Sequence, residues 1–189
     1  LGRLAAIGGE ERFRAAALQA LAYERSRFVP EHGNWPDLRM DKPDQLALLL
    51  CAWCHGAPGI GLGRLGLLAH LEDSQLHAEI VVALQTTRER GFGLNHSLCH
   101  GDLGNLELLL QAGVLLDDPQ WQAETRRIAS MVVASIDRHG WLSGLPLSVE
   151  SPGLMTGLSG IGYGLLRLAA PEQVPSVLLL APPNLYDPR

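Results

Sequence analysis

Long apolar runs are missing from this 189-residue chain, and none reaches the ~18 residues that a membrane-spanning helix requires. Basic stripes are missing too. The formal net charge is −5 and the arginines are scattered, which argues against a nucleic-acid surface. Cysteine is scarce, at three residues, and two of these are followed directly by histidine. That pattern excludes a secreted disulfide framework and points to thiols kept reduced, hence a cytoplasmic protein. No secretory leader opens the sequence, nor does a methionine. Leu1-Gly2-Arg3-Leu4-Ala5-Ala6-Ile7 reads as the tail of a helix already under way, so the chain is expected to be a fragment whose earlier repeats are absent. Strand alternation is nearly absent as well, and the expected fold class is all-α.

What is present is a core-forming composition: 47% apolar and 19% charged residues, at a length that suits one domain. One short phrase occurs twice. Residues 53–59 read Trp-Cys-His-Gly-Ala-Pro-Gly and residues 98–104 read Leu-Cys-His-Gly-Asp-Leu-Gly. A third copy, Met155-Thr156-Gly157-Leu158-Ser159-Gly160, keeps the glycines without the cysteine and histidine. Gly56, Gly101 and Gly157 lie 45 and 56 residues apart, and each opens an apolar stretch.

Amphipathic stretches alternate with these apolar ones. Glu10 to Phe28 places Phe13, Ala16, Ala17, Ala20, Leu21 and Phe28 on one face, with Arg12, Arg14, Gln19 and Arg25 away from it. Asp44 is placed to cap a short helix through Leu46–Leu50. Ile60 to Leu71 carries Gly61, Gly63 and Gly66, which implies close packing, since glycine costs about 1 kcal/mol in a helix interior. Ser74 is placed to cap a helix to Arg90 with Leu76, Ile80, Val81 and Leu84 inward. Leu103 to Ala112 is the next apolar helix. Asp118-Pro119 opens another, striped by Trp121, Thr125, Ile128, Val132 and Ile136. Gly157–Leu168 is the last, and the proline-containing tail from Pro171 to Arg189 is expected to run extended. Helix pairs repeating at this length predict an array or ring, with apolar helices inside and amphipathic ones outside.

The chemistry lies in the Cys-His pairs. Two such pairs at one repeat position can converge on a metal, and zinc takes thiolate sulfur and neutral imidazole in tetrahedral geometry. Cys54, Cys99 and His100 would supply three ligands and leave a fourth position open for a substrate thiol, whose pKa zinc lowers. The repeat does not say which of His55 and His100 ligates; the other would hydrogen-bond nearby or handle protons. Cys51 offers a rival, a closed structural Cys₃His site with Cys54, Cys99 and His100, although Cys51 also reads as an ordinary core residue. A dithiol redox role for Cys51 and Cys54 lacks the surrounding βαβ pattern. His96 reads as a solvated loop residue rather than a partner of the ligands. His32, His70, His77 and His139 read as surface or helix-end residues, and Asp102 as a helix-dipole partner. Trp35, Trp53, Trp121 and Trp141 read as packing anchors.

At these motifs the sequence resembles the LanC-like lanthionine cyclases, most specifically the C-terminal cyclase domain of class II, LanM-type, lanthipeptide synthetases. Ala22-Tyr23-Glu24-Arg25, Gly33-Asn34-Trp35-Pro36-Asp37-Leu38, the two Cys-His-Gly phrases, Thr156 to Gly164 and Val174 to Leu180 carry the resemblance. It implies a double-layered α/α toroid of seven helix pairs, of which residues 1–189 would be about the second half. It implies one Zn²⁺ held by Cys54, Cys99 and His100, which leaves His55 as the candidate catalytic residue. The implied reaction is addition of a precursor-peptide cysteine to dehydroalanine or dehydrobutyrine, with protonation of the resulting enolate. The implied partners are the precursor peptide and a dehydratase domain in the same or a partner chain, in the cytoplasm or peripheral at the membrane in a biosynthetic complex. Two family features have no counterpart here: an upstream His-Gly motif whose histidine serves as acid or base, and the arginine that class I relatives tend to carry where this chain has Leu50. Half a ring would expose an apolar face, so self-association is the expectation for such a piece.

Overall fold

The computed structural model describes residues 1–39 and 49–181. Among them are seven α-helices: α1 (Gly2–Gly8), α2 (Glu11–Ser26), α3 (Ala57–Leu65), α4 (Leu76–Arg90), α5 (Asp102–Leu115), α6 (Pro119–His139) and α7 (Leu158–Ala169). Strand structure among the described residues is limited to two isolated bridges, Val29–Asn34 and Ala52–His55. The fold is all-α, as expected. The expected short helix from Asp44 falls outside the described residues except for its last two positions, Leu49 and Leu50.

The three apolar helices pack side by side, α3 against α5 and α5 against α7, and form the inner layer. The amphipathic helices lie behind them, α4 on α3 and α6 on α5. As the middle member, α5 is flanked on both sides and backed by α6, which is why Leu103, Leu106, Leu108, Leu109 and Ala112 are all buried. A helix with neighbours all round has no need of a polar face. On α6, by contrast, a single stripe is buried, Trp121, Thr125, Ile128 and Val132, while Ile136 is half-buried at its end. Asp118 caps this helix by accepting the Gln120 N–H (2.8 Å).

Several local expectations need correction. Ser74 does not cap α4: the N-cap position is Gln75, which makes no side-chain cap bond, and its N–H goes to the Asp73 carboxylate in the preceding turn (2.9 Å). Val81 is exposed, and Ala83 and Thr87 take the inward places beside Ile80 and Leu84. Arg25 is not on a solvated face. Its guanidinium donates to Asp73 (2.9 Å) and Glu79, which Arg64 also engages (2.5 Å), tying α2, α3 and α4 together. Trp141 is 47% exposed, unlike the buried Trp35 and Trp121. The tail up to residue 181 turns rather than extends. Arg167 donates to the carbonyls of Pro171 (2.6 Å) and Val174 (2.5 Å), and Tyr163 to that of Pro175 (2.6 Å), which straps the tail to α7.

The Gly-x-x-Gly turns have one geometric cause. A Cβ on Gly59, Gly104 or Gly160 would overlap the carbonyl oxygen of Trp53, Leu98 or Leu154, in each case the residue six positions earlier. The loop before each inner helix therefore folds back flat against that helix's first turn, and only glycine permits this. Gly63, in contrast, faces open space with nothing within 4 Å of an added Cβ. Gly104→Ala should lower stability by about 1–3 kcal/mol or more. Gly63→Ala should raise it by about 0.5–1 kcal/mol. Thermal melts would read these as shifts of opposite sign, at roughly 2–4 °C per kcal/mol for this length; shifts of the same sign would refute the account.

Candidate metal centre

The loops leading into the three inner helices are sewn to one another in series. The Cys54 N–H donates to the Cys99 carbonyl (3.2 Å), and the Cys99 N–H donates to the Met155 carbonyl (2.8 Å). Two asparagines fix the first loop from behind. Asn34 donates to Leu50 O (2.8 Å) and accepts the Ala57 N–H (2.8 Å), while Asn105 donates to Cys51 O (2.8 Å) and Gly91 O (2.6 Å). Asp102 reaches back to accept the Gly93 N–H (2.8 Å), and burial pushes its carboxyl above the usual range.

This stitching brings Cys54 Sγ, Cys99 Sγ and a ring nitrogen of His100 to within 4.8 Å of one another. Among the described residues it is the one cysteine–histidine–carboxylate group compact enough to hold a metal. His100 Nε2–H donates to the Gly144 carbonyl (2.9 Å), because a carbonyl can only accept. That bond puts the ring's free lone pair on Nδ1. Gly144 has to be glycine, since a Cβ there would sit 2.6 Å from Ser97 Oγ and 2.9 Å from His100 Nε2.

The donor set fits zinc. Tetrahedral Zn–S and Zn–N bonds place donor atoms roughly 3.5–3.8 Å apart, a small contraction of the spacing observed. Without a cation, burial and the adjoining Cys99 thiol push the Cys54 thiol up to about 12. A divalent ion between the sulfurs reverses that preference. Cys54 is exposed, so the centre opens to one side. It opens on a cleft of about 690 Å³ that Trp53, Ile60, Leu178 and Leu179 help to line.

The remaining candidates separate cleanly. Cys51 is not part of the group: its thiol points at the Thr86 carbonyl (3.8 Å), and burial pushes it up to about 12. The closed Cys₃His arrangement is therefore not formed. His55 stands beside the centre, with Nε2 3.7 Å from Cys54 Sγ. Its Nδ1 accepts from Arg39 Nη2 (3.3 Å), and Arg39 in turn holds Asp37 through Oδ1 (2.9 Å) and Oδ2 (2.5 Å). The Arg39 hydrogen bonds keep the Asp37 carboxyl well below the usual range, and burial pushes the His55 imidazole down. His96 is not a solvated loop residue but is 1% exposed and bonded at both ring nitrogens. Its sequence neighbourhood, Asn95-His96-Ser97, is polar and gave no sign of burial. Asp37 and Arg39 were equally hidden, since Arg39 meets His55 across 16 residues of sequence.

The family model described as "Lanthionine synthetase C-like protein" matches residues 2–179. The lacticin 481/lactococcin biosynthesis protein LcnDR2 of Lactococcus lactis subsp. lactis is 31% identical over 128 residues, which cover 61% of this chain and 14% of that protein. The match thus spans only a small part of the relative's length. With all but the outermost residues matched, the chain belongs to the lanthionine synthetase C-like family.

Proposed function

We propose that residues 1–189 are the C-terminal part of a lanthionine cyclase domain of the LanM type, and that they carry its zinc centre. The supporting observation is the convergence of Cys54, Cys99 and His100 from two adjacent repeats, with the tautomer of His100 fixed by Gly144. Zinc held there would lower the pKa of a thiol at its fourth position, making a sulfur nucleophile available near neutral pH.

The chain's own residues do the rest of the work assigned here. Cys54 and Cys99 supply the anionic donors, and His100 supplies a neutral one. Trp53, Ile60 and the Leu178–Leu179 pair line the cleft that would take the precursor peptide. His55 is the proton-handling group. Since Arg39 donates to its Nδ1, the Nε2 proton faces the sulfur side of the site. In the overall reaction the thiol S–H is lost, an S–C bond forms at the β-carbon of dehydroalanine or dehydrobutyrine, and the α-carbon gains a proton. Those dehydro residues imply a dehydratase domain in the same or a partner chain. Such peptide maturation belongs in the cytoplasm. No helix among the described residues is long and apolar enough to cross a membrane.

Ring closure conserves mass, so the test reads the thiol. A dehydrated precursor peptide incubated with the zinc-loaded protein should lose its reactivity toward a maleimide, and chelator-treated protein should leave that reactivity unchanged. Persistent alkylation with zinc in place would sink the cyclase reading in favour of a zinc-bearing module that holds peptides without chemistry.

A further inference from the structure

The carbonyl that orients His100 belongs to the loop between α6 and α7, and one buried side chain pins that loop. His96 and Leu142 are paired twice. The His96 N–H donates to the Leu142 carbonyl (2.9 Å), and the Leu142 N–H donates to His96 Nδ1 (3.1 Å). Because Nδ1 accepts, the ring proton sits on Nε2, which donates to Ser135 Oγ on α6 (3.0 Å). Two residues past Leu142, the Gly144 N–H is held by the Thr156 carbonyl (2.8 Å) and its own carbonyl receives His100 Nε2–H (2.9 Å). Hydrogen bonds thus lead from α6 through His96 to Leu142, and from Gly144, two residues along the backbone, to the imidazole of His100. A backbone carbonyl can fix a ligand's tautomer only if the backbone itself is fixed.

We propose that His96 is a positioning residue: by clamping Leu142 it places the Gly144 carbonyl and so sets the ring orientation and tautomer of His100. Its relevance to metal binding rests on the zinc reading above; the clamp itself does not. An asparagine at position 96 can return a carbonyl acceptor near the Nδ1 position. Glutamine instead reaches toward Ser135 and leaves the Leu142 N–H without its acceptor.

The test takes wild type, His96→Ala, His96→Asn and His96→Gln through two measurements. The first is the ¹⁵N chemical shifts of the His100 ring in the metal-free protein, and the second is zinc affinity by competition with a chromogenic chelator. Wild type and His96→Asn should show a single Nε2–H tautomer. His96→Ala and His96→Gln should show a tautomer mixture, with zinc affinity reduced about 10–100-fold. If His96→Ala does not fold, the Asn–Gln pair decides alone. Wild-type tautomer and affinity in the Gln variant would overturn the clamp. A tautomer shift in a protein that binds no zinc even as wild type would uphold the clamp and sink the metal reading.

Discussion

Cys99→Ala is expected to leave the protein without bound zinc at micromolar metal concentrations, where the wild-type chain should hold one ion. The size of the effect follows from the ligand count. A four-ligand structural site holds its zinc with about 10–16 kcal/mol, so each ligand carries roughly 3–4 kcal/mol, or ~10²–10³ in affinity. Cys99 has a second hold on the site, because its backbone carbonyl receives the Cys54 N–H and its own N–H reaches Met155. Those bonds survive truncation to alanine, so the loss would isolate the sulfur. Cys54→Ala should behave the same way. Cys51→Ser is the control: its thiol faces Thr86 and not the centre, so zinc content should be unchanged. Elemental analysis of the four proteins, prepared under reducing conditions without chelator, decides the matter. Equal zinc in wild type and Cys99→Ala would remove the site, and loss in Cys51→Ser would revive the closed Cys₃His arrangement.

The second large effect concerns stability. Arg167 on α7 and Glu107 on α5 are 3% and 5% exposed and meet in a bidentate pair, Nη2–Oε1 at 2.8 Å and Nε–Oε2 at 3.2 Å. Gln111 adds a further donor to the same carboxylate (2.8 Å). Arg167→Met should destabilise by roughly 3–5 kcal/mol, because it strands a buried carboxylate and removes the donor held by the Pro171 and Val174 carbonyls. Adding Glu107→Leu should restore much of the loss, since replacing a whole buried pair with apolar side chains is often near neutral. The recovery should stop short of wild type, because the two tail carbonyls stay without their partner. Denaturant melts of the single and double variants test this, and a single variant as stable as wild type would show that the pair is not structural.

Much of the architecture was legible because its signals are local. The Gly-x-x-Gly turns, the apolar stretches behind them and the Asp118-Pro119 start of α6 depend on residues close together in the chain. The cysteine and histidine ligands could be read for the same reason, as a repeated phrase at matching positions. What escaped reading depends on distance. His96 meets Leu142 across 46 residues and Arg167 meets Glu107 across 60. Nothing in the neighbourhood of either member announces the other. Gly144 contributes a backbone carbonyl, which any residue possesses; only the close approach to His100 makes it special. Ser74 illustrates a finer limit, since a residue able to cap a helix stands one position short of the N-cap, which is Gln75. Cys51, set beside Cys54 in a Cys-x-x-Cys spacing, shows the reverse, a motif that exists in the sequence and not in space.

The third copy of the phrase has Met155 and Thr156 where the others have cysteine and histidine, and its preceding loop, 140–156, is longer than the loop 91–100 before the second copy. It is this loop that brings the Gly144 carbonyl to His100. A repeat stripped of donors has become the jig that holds a neighbour's donor in register. Modularity here is staggered by one unit: the smallest transplantable metal site is three consecutive loops, two that bind and one that aligns. Grafting the two Cys-His-Gly phrases into another helical array without their successor would carry over the sulfurs and leave the imidazole free to turn.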